Sequence, residues 1–225
     1  MKKIGIIGGL GPESTSEFYQ HITRRYYEIR GDYAYPEIII YSVSFERFID
    51  CGYEAAVRIR DVIGKLEAAG ADFVTAACNS IHIVHEAVSK NTPIPWISIM
   101  DAVAEEIQRR SITTVGLLGT VFTMSNDFYR KALARYGIET IVPDNSVQED
   151  VNRIIFTELV RGITTAESKE FMLGCMDDLQ KRGAGGIVLG CTELPFLIRQ
   201  EDTAIPVFDS TLIYAYKALD YAMEE

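Results

Sequence analysis

The chain has 225 residues, 48% of them hydrophobic, enough to bury the core of one large domain or of two lobes. With 22 Lys and Arg against 32 Asp and Glu the formal charge is −10, which argues against a nucleic-acid binder but not against an acidic small-molecule partner, because the potential at a site can oppose the net charge. Lys2 and Lys3 precede an apolar stretch that breaks at once into Gly8-Gly9-Leu10-Gly11-Pro12, and no run approaches a membrane span, so a cytoplasmic protein without a membrane partner is expected.

Strands and helices alternate. Residues 3–7 form a β-branched run ending in glycines, the pattern of a buried strand entering a turn. Residues 14–29 carry Phe18, Ile22 and Tyr26 at helical spacing. A second strand is expected over 37–43 and a helix over 53–69, stopped by Gly70. The strand at 73–77 leads into Cys78-Asn79-Ser80 and a helix over 81–88, and a fourth strand is expected at 96–99 after Pro93 and Pro95. The second half reads as strand 114–118, helix 126–136, strand 140–142, helices 147–161 and 166–181, strand 187–189 into Gly190-Cys191-Thr192-Glu193, strand 207–208 and a last helix over 212–223.

The halves superimpose as text. Ile4-Gly5-Ile6-Ile7-Gly8 corresponds to Val115-Gly116-Leu117-Leu118-Gly119, Gly70-Ala71 to Gly183-Ala184, and Ile94-Pro95 to Ile205-Pro206; each cysteine follows its Gly-Ala landmark at the same spacing. The reading is an α/β fold of two similar lobes, each a parallel sheet flanked by helices, related by a pseudo-two-fold internal duplication, with the active site in the cleft between them. The expected boundaries are 1–98 plus 210–225 for the first lobe and 99–209 for the second. Ligands sit beyond the carboxyl ends of parallel strands. Cys78 and Cys191 are both expected there, each at the start of a helix whose dipole favours the thiolate, and symmetry would turn them toward each other.

Two opposed thiols can remove a proton from one face of a carbon acid and return one to the other, one acting as thiolate base and one as thiol acid. Asn79 and Ser80 after the first cysteine, and Thr192 after the second, supply donors for a substrate α-carboxylate. Gly9 and Thr120, at the ends of the first strand of each half, join them as substrate-binding candidates; for the glycine loop a tight turn and a row of ligand-facing amides both stay open. Cys51 and Cys175 lack such a setting and read as small core residues. A zinc site from Cys78, His82 and Cys191 is the weaker alternative, since zinc sites show tighter ligand pairs, and no metal is expected. The tyrosines Tyr26, Tyr27, Tyr33 and Tyr35 suggest more apolar surface than a monomer needs, and hence an interface.

At these residues the chain resembles the aspartate/glutamate racemases over essentially its whole length. Residues 6–15, Ala77-Cys78-Asn79-Ser80 and Gly190-Cys191-Thr192-Glu193-Leu194 are similar to that family's opening motif and two cysteine motifs. The resemblance implies racemisation of an acidic amino acid, aspartate or glutamate, by Cys78 and Cys191, without pyridoxal phosphate or any other cofactor, in a homodimer. Glu193 stands where cell-wall glutamate racemases carry histidine, which points to the aspartate racemase branch; Ser80 stands where threonine is commoner. By the same resemblance Arg47 and Arg161 correspond to positions that hold substrate carboxylates. His82, one turn beyond Cys78, either tunes that thiol or packs there. Alternatives are a related cysteine enzyme on a small acid, such as a maleate isomerase, hydantoin racemase or arylmalonate decarboxylase, and a two-lobed protein that binds an amino acid without turning it over.

Overall fold

The computed structural model describes residues 1–48 and 53–224, with the backbone alone for Tyr53; Cys51 lies outside the described residues. The chain is α/β and divides into two compact units, Met1–Ile99 with Thr211–Glu225, and Met100–Ser210.

In the first unit β1 (Ile4–Gly8) lies between β2 (Ile38–Ser42) and β3 (Phe73–Ala76), all parallel, with Ile4 opposite both Ile38 and Phe73. Every residue of β1 and β3 is buried. A parallel strand covered on both faces reads as a continuous apolar run, and these do. The helix α1 (Pro12–Arg30) starts on a proline, whose missing N–H costs nothing in the first turn, and stops at Gly31 in the left-handed conformation. Its buried stripe is Ser14, Thr15, Phe18, Ile22 and Tyr26. The helix α2 (Tyr53–Ala68) buries Ile59, Ile63 and Leu66 against Ile7, Val74 and Ala76.

After β3 the chain departs from expectation twice. The helix expected over 81–88 is instead a 3-10 segment, Ser80–Val84, followed by the five-residue α3 (His85–Ser89). The strand expected at 96–99 is a single bridge between Val74 and Trp96. The Val74 N–H donates to the Pro95 carbonyl, and the Val74 carbonyl accepts the Ile97 N–H. The Ile97 carbonyl then accepts the Tyr214 hydroxyl at 2.5 Å, and α4 (Ile99–Arg109) begins. The first sheet therefore has three strands.

The second sheet runs in the order β5 (Glu139–Ile141), β4 (Thr114–Leu118), β6 (Ile187–Leu189), β7 (Val207–Asp209), again parallel. Its first three strands repeat the second-first-third order of the first sheet. The repeat extends to packing. A Cβ on Gly5 would meet Ala71 Cβ and Val74 Cγ1 at 3.0 Å, and one on Gly116 would meet Ile187 Cδ1 at 2.7 Å and Leu179 Cδ1 at 2.9 Å. Each central strand thus carries glycine where a neighbour presses on the backbone.

Around this sheet lie α5 (Val121–Ser125), α6 (Asp127–Ala134), α7 (Asn145–Thr157) and α8 (Ala166–Lys181). Asn126, in extended backbone, splits the helix expected over 126–136, and Glu158 ends α7 before a 3-10 turn, Leu159–Arg161. Cys175 packs in this core beside Met172, Met176 and Leu179, and burial pushes its thiol up to about 11, which disfavours the thiolate near neutral pH. The last helix, α9 (Ser210–Met223), belongs mostly to the first unit: Tyr214 is fully buried against Phe18, and Tyr221 meets Phe73 edge-on at 4.8 Å.

Candidate active site

In the first sheet the last paired residues of β1 and β3 are Ile7 and Ala76, and two residues beyond that pair stand Gly9 and Cys78. In the second sheet the pair is Leu118 and Leu189, and two residues beyond it stand Thr120 and Cys191. Both cysteines thus leave the carboxyl edge of the third strand of their unit at the same step. This edge is where parallel sheets place ligands.

The cysteines do not start α-helices. Cys78 precedes the 3-10 segment Ser80–Val84, and Cys191 precedes the three-residue 3-10 turn Leu194–Phe196. The segment after Cys78 runs on into α3, whereas the three-residue turn after Cys191 is too short to sum peptide dipoles, so the expected helix-dipole support for a thiolate is absent at Cys191.

Around Cys78, the amide donates to the Ala76 carbonyl at 2.7 Å and the carbonyl accepts from His82 Nδ1 at 2.8 Å. His82 is 1% exposed, with Trp96, Tyr214 and His85 rings at 5.2–5.8 Å. Burial, and then the neighbouring His85, hold its pKa down to about 3 against the pull of the Cys78 and Ile97 carbonyls. His82 is therefore a neutral core residue that grips the backbone of Cys78. Of the two roles read for it, packing is the one the geometry supports. Among the described residues no three His, Cys, Asp or Glu side chains gather as a metal site. Asn79 is 3% exposed and its carbonyl accepts the His82 amide; Ser80 is half-buried.

Gly9 has φ +80°, and a Cβ there would stand 2.3 Å from the Val43 carbonyl oxygen. Its N–H donates to Thr15 Oγ1 at 2.9 Å. The loop makes a tight turn here, and the Gly9 amide is engaged within it. Thr15, whose hydroxyl also donates to Gly11, escaped the sequence reading, although it stands inside the opening motif. Thr120 is likewise engaged locally, since it caps α5 by accepting from the Thr123 amide at 3.3 Å.

Around Cys191, which is 8% exposed, the thiol donates to Glu193 Oε2 at 2.9 Å, and the Thr192 hydroxyl donates to the same oxygen at 2.7 Å. The Thr192 proton expected for a substrate carboxylate is thus directed to Glu193. Ser210, fully buried, donates to the Leu189 carbonyl at 2.7 Å and fixes the end of β6.

Arg47 lies exposed in the 3-10 turn Phe45–Phe48 that follows β2, where its carbonyl accepts from Arg58. Arg161 lies exposed at the end of its 3-10 turn. Glu158 holds that turn to the start of α8 by accepting from Ser168 Oγ at 2.6 Å and Thr165 Oγ1 at 3.3 Å. Because α8 carries the chain back to the start of β6, its own start lies toward the carboxyl end of the sheet. Among the described residues neither guanidinium is paired with a carboxylate, whereas Arg25, Arg58, Arg109, Arg130, Arg135 and Arg153 all are.

Residues 7–218 match the family described as Asp/Glu/Hydantoin racemase. The chain belongs to that racemase family. The broad specificity amino-acid racemase of Bacillus subtilis is 28% identical over 218 residues, with 94% of each chain covered. The crystal structure of an aspartate racemase homologue from Pyrococcus horikoshii shares 41% identity over all of both chains, with a TM-score of 0.89. The Picrophilus torridus aspartate racemase, at 24% identity, 99% and 95% coverage and a TM-score of 0.76, shares the fold. Membership makes this an enzyme family's chain, and the two-unit α/β architecture is the one its racemase neighbours share. No helix of the described residues is long and apolar enough to cross a membrane.

Proposed function

We propose that this racemase interconverts the enantiomers of an acidic amino acid, aspartate or glutamate, by proton transfer between substrate carbon and two sulfurs, Cys78 and Cys191. The observation that carries this reading is the equivalent placement of the two thiols, each two residues past the end of the third strand of its unit. A binding protein has no use for two such thiols. On this scheme one sulfur stands on each face of the α-carbon. The thiolate takes the α-proton, the electron pair of the C–H bond remains on carbon, and the thiol on the other face returns a proton. An amino-acid α-proton is far less acidic than a thiol, so the transition state needs donors on the α-carboxylate, where the negative charge spreads. Asn79, Ser80 and Thr120, with the backbone amide of Thr192, are the polar groups at the two strand edges that suit this role. Arg47 and Arg161, cations without a carboxylate of their own among the described residues, suit the side-chain carboxylate. Both proton transfers are between sulfur and carbon, and no cofactor enters the scheme.

The names of the relatives favour amino acids over hydantoins, and the Cys191-Thr192-Glu193-Leu194 stretch points the same way. Incubation with L-aspartate, L-glutamate and a hydantoin, followed by polarimetry, tests the reading. Loss of rotation is expected with an acidic amino acid and is expected to vanish after thiol alkylation. Racemisation of the hydantoin alone, or activity that survives alkylation, overturns it.

A further inference from the structure

The Cys191 thiol and the Thr192 hydroxyl converge on one oxygen, Glu193 Oε2, at 2.9 and 2.7 Å. A carboxylate accepts and does not donate, so it suits two donors on one oxygen. A second carboxylate approaches the same edge from the neighbouring strand: β6 and β7 pair Leu189 with Asp209, two residues before Cys191. A negative charge on Glu193 works against a thiolate at this sulfur through a direct contact. In the first unit the second residue after the cysteine is Ser80, a hydroxyl in place of the carboxylate.

We propose that Glu193 is a positioning residue that holds Cys191 as the protonated thiol between turnovers, so that the resting enzyme presents Cys191 as a proton donor. Its consequence for turnover rests on the two-cysteine reading above. The enantiomer accepted first is then the one whose α-proton faces Cys78. Cys191 delivers its proton to the other face: the S–H bond breaks, its electron pair stays on sulfur, and a C–H bond forms. The new thiolate stands beside Glu193, and the repulsion drives it to take a proton from water. Cys78, which holds the proton taken from substrate, releases it to solvent, so protons balance over the cycle.

The direct test uses no substrate. In wild type, E193Q and E193D, alkylation of the Cys191 peptide by iodoacetamide is followed by mass spectrometry as pH rises through the thiol range. The plateau rate reports access to the sulfur and the midpoint reports its ionisation. E193Q is expected to lower the midpoint by about 1–3 pH units, at least about tenfold more thiolate near neutrality, the size of a like-charge effect at contact. E193D, which keeps the charge on the same turn, is expected to stay nearer the wild-type midpoint. An unmoved midpoint in E193Q, or an E193D midpoint as low as that of E193Q, overturns the proposal. A protein that failed to racemise any amino acid would leave this measurement standing and overturn only the functional reading.

Discussion

His82 donates from Nδ1 to the carbonyl oxygen of Cys78 across 2.8 Å, while its ring stays neutral in the core. In the unfolded chain the same ring titrates near its ordinary 6.5, and in the fold it titrates near 3. Below pH 6.5 the unfolded state therefore binds a proton that the folded state refuses, and stability falls as the pH falls from 6.5 toward 3. The loss is about 1.4 kcal/mol per pH unit, or about 2 kcal/mol between pH 6.5 and 5. Urea unfolding at those two pH values is expected to show this loss in wild type and to show less of it in H82Q. Equal losses in both proteins would assign the acid sensitivity elsewhere.

On the proposed two-cysteine scheme, replacing either Cys78 or Cys191 by alanine removes one of the two proton-transfer groups. Racemisation is expected to fall by several orders of magnitude in each variant, because base and acid act as a unit. Each variant keeps a thiol on one face and is expected to exchange the α-proton of a single enantiomer for deuterium, slowly and with retention. Proton NMR of L- and D-aspartate in heavy water reads this. Opposite enantiomers are expected for the two variants; the same enantiomer in both places the thiols on one face and ends the two-base reading.

Enantiomers have an equilibrium constant of one, so kcat/KM is equal in the two directions. An enzyme whose thiols rest in unequal states shows the inequality only as a common factor in kcat and in KM. E193Q is expected to change the ratio of kcat for L- and D-substrate and the ratio of KM together. Full progress curves from each enantiomer supply both ratios, and ratios that stay at the wild-type value count against the role given to Glu193.

Arg47 and Arg161 are separable by substitution with methionine, which keeps bulk and removes charge. If one of them pairs with the substrate side chain in a desolvated site, its loss is expected to cost aspartate about 2–5 kcal/mol in transition-state binding and alanine much less. Relative kcat/KM for the two amino acids measures it. An equal fall for both substrates assigns that arginine to the α-carboxylate or to the surface.

Gly9 to alanine is expected to cost about 2 kcal/mol or more. An L-residue at φ +80° is strained by the left-handed backbone, and the new Cβ meets the Val43 carbonyl. Urea unfolding of the variant checks it.

The exposed rings of Tyr27, Tyr33 and Tyr35 follow one another at centroid separations of 5.8 and 6.4 Å, while Tyr26 belongs to the core and bonds Asp32 at 2.8 Å. The interface suggested by four tyrosines thus rests on three. A two-fold homodimer remains the expectation, and light scattering at micromolar concentration decides it.

Local pattern made much of this fold readable. Strand β4 and helix α8 fall at residues 114–118 and 166–181 as read, because an unbroken apolar run and a capped periodic one are local signals. The segment 96–99 misleads for a reason that lies far along the chain: the Ile97 carbonyl is claimed by Tyr214, 117 residues away, before a ladder can continue. Helix α4 was hidden behind that false strand, since Ile99 reads equally as the end of one and the start of the other. The equivalent placement of the two cysteines past their strand ends was legible through the repeat, but the short 3-10 segments after them were not, because helical spacing over five residues does not distinguish one kind of turn from another. Tyr214 carried no sequence signal at all; its hydroxyl accepts the Ala76 amide from a distance of 138 residues.

That same tyrosine sets an order of events on the ribosome. The first unit contains residues from both ends of the chain, so its core stays open until α9 has been made. The second unit is continuous, and every strand of its sheet has left the exit tunnel before Tyr214 can reach Ala76 and Ile97. The lobe encoded second is therefore the one free to fold first, and the nascent first lobe waits with Ile97 and Phe73 uncovered, a window in which a chaperone that binds apolar segments has a target.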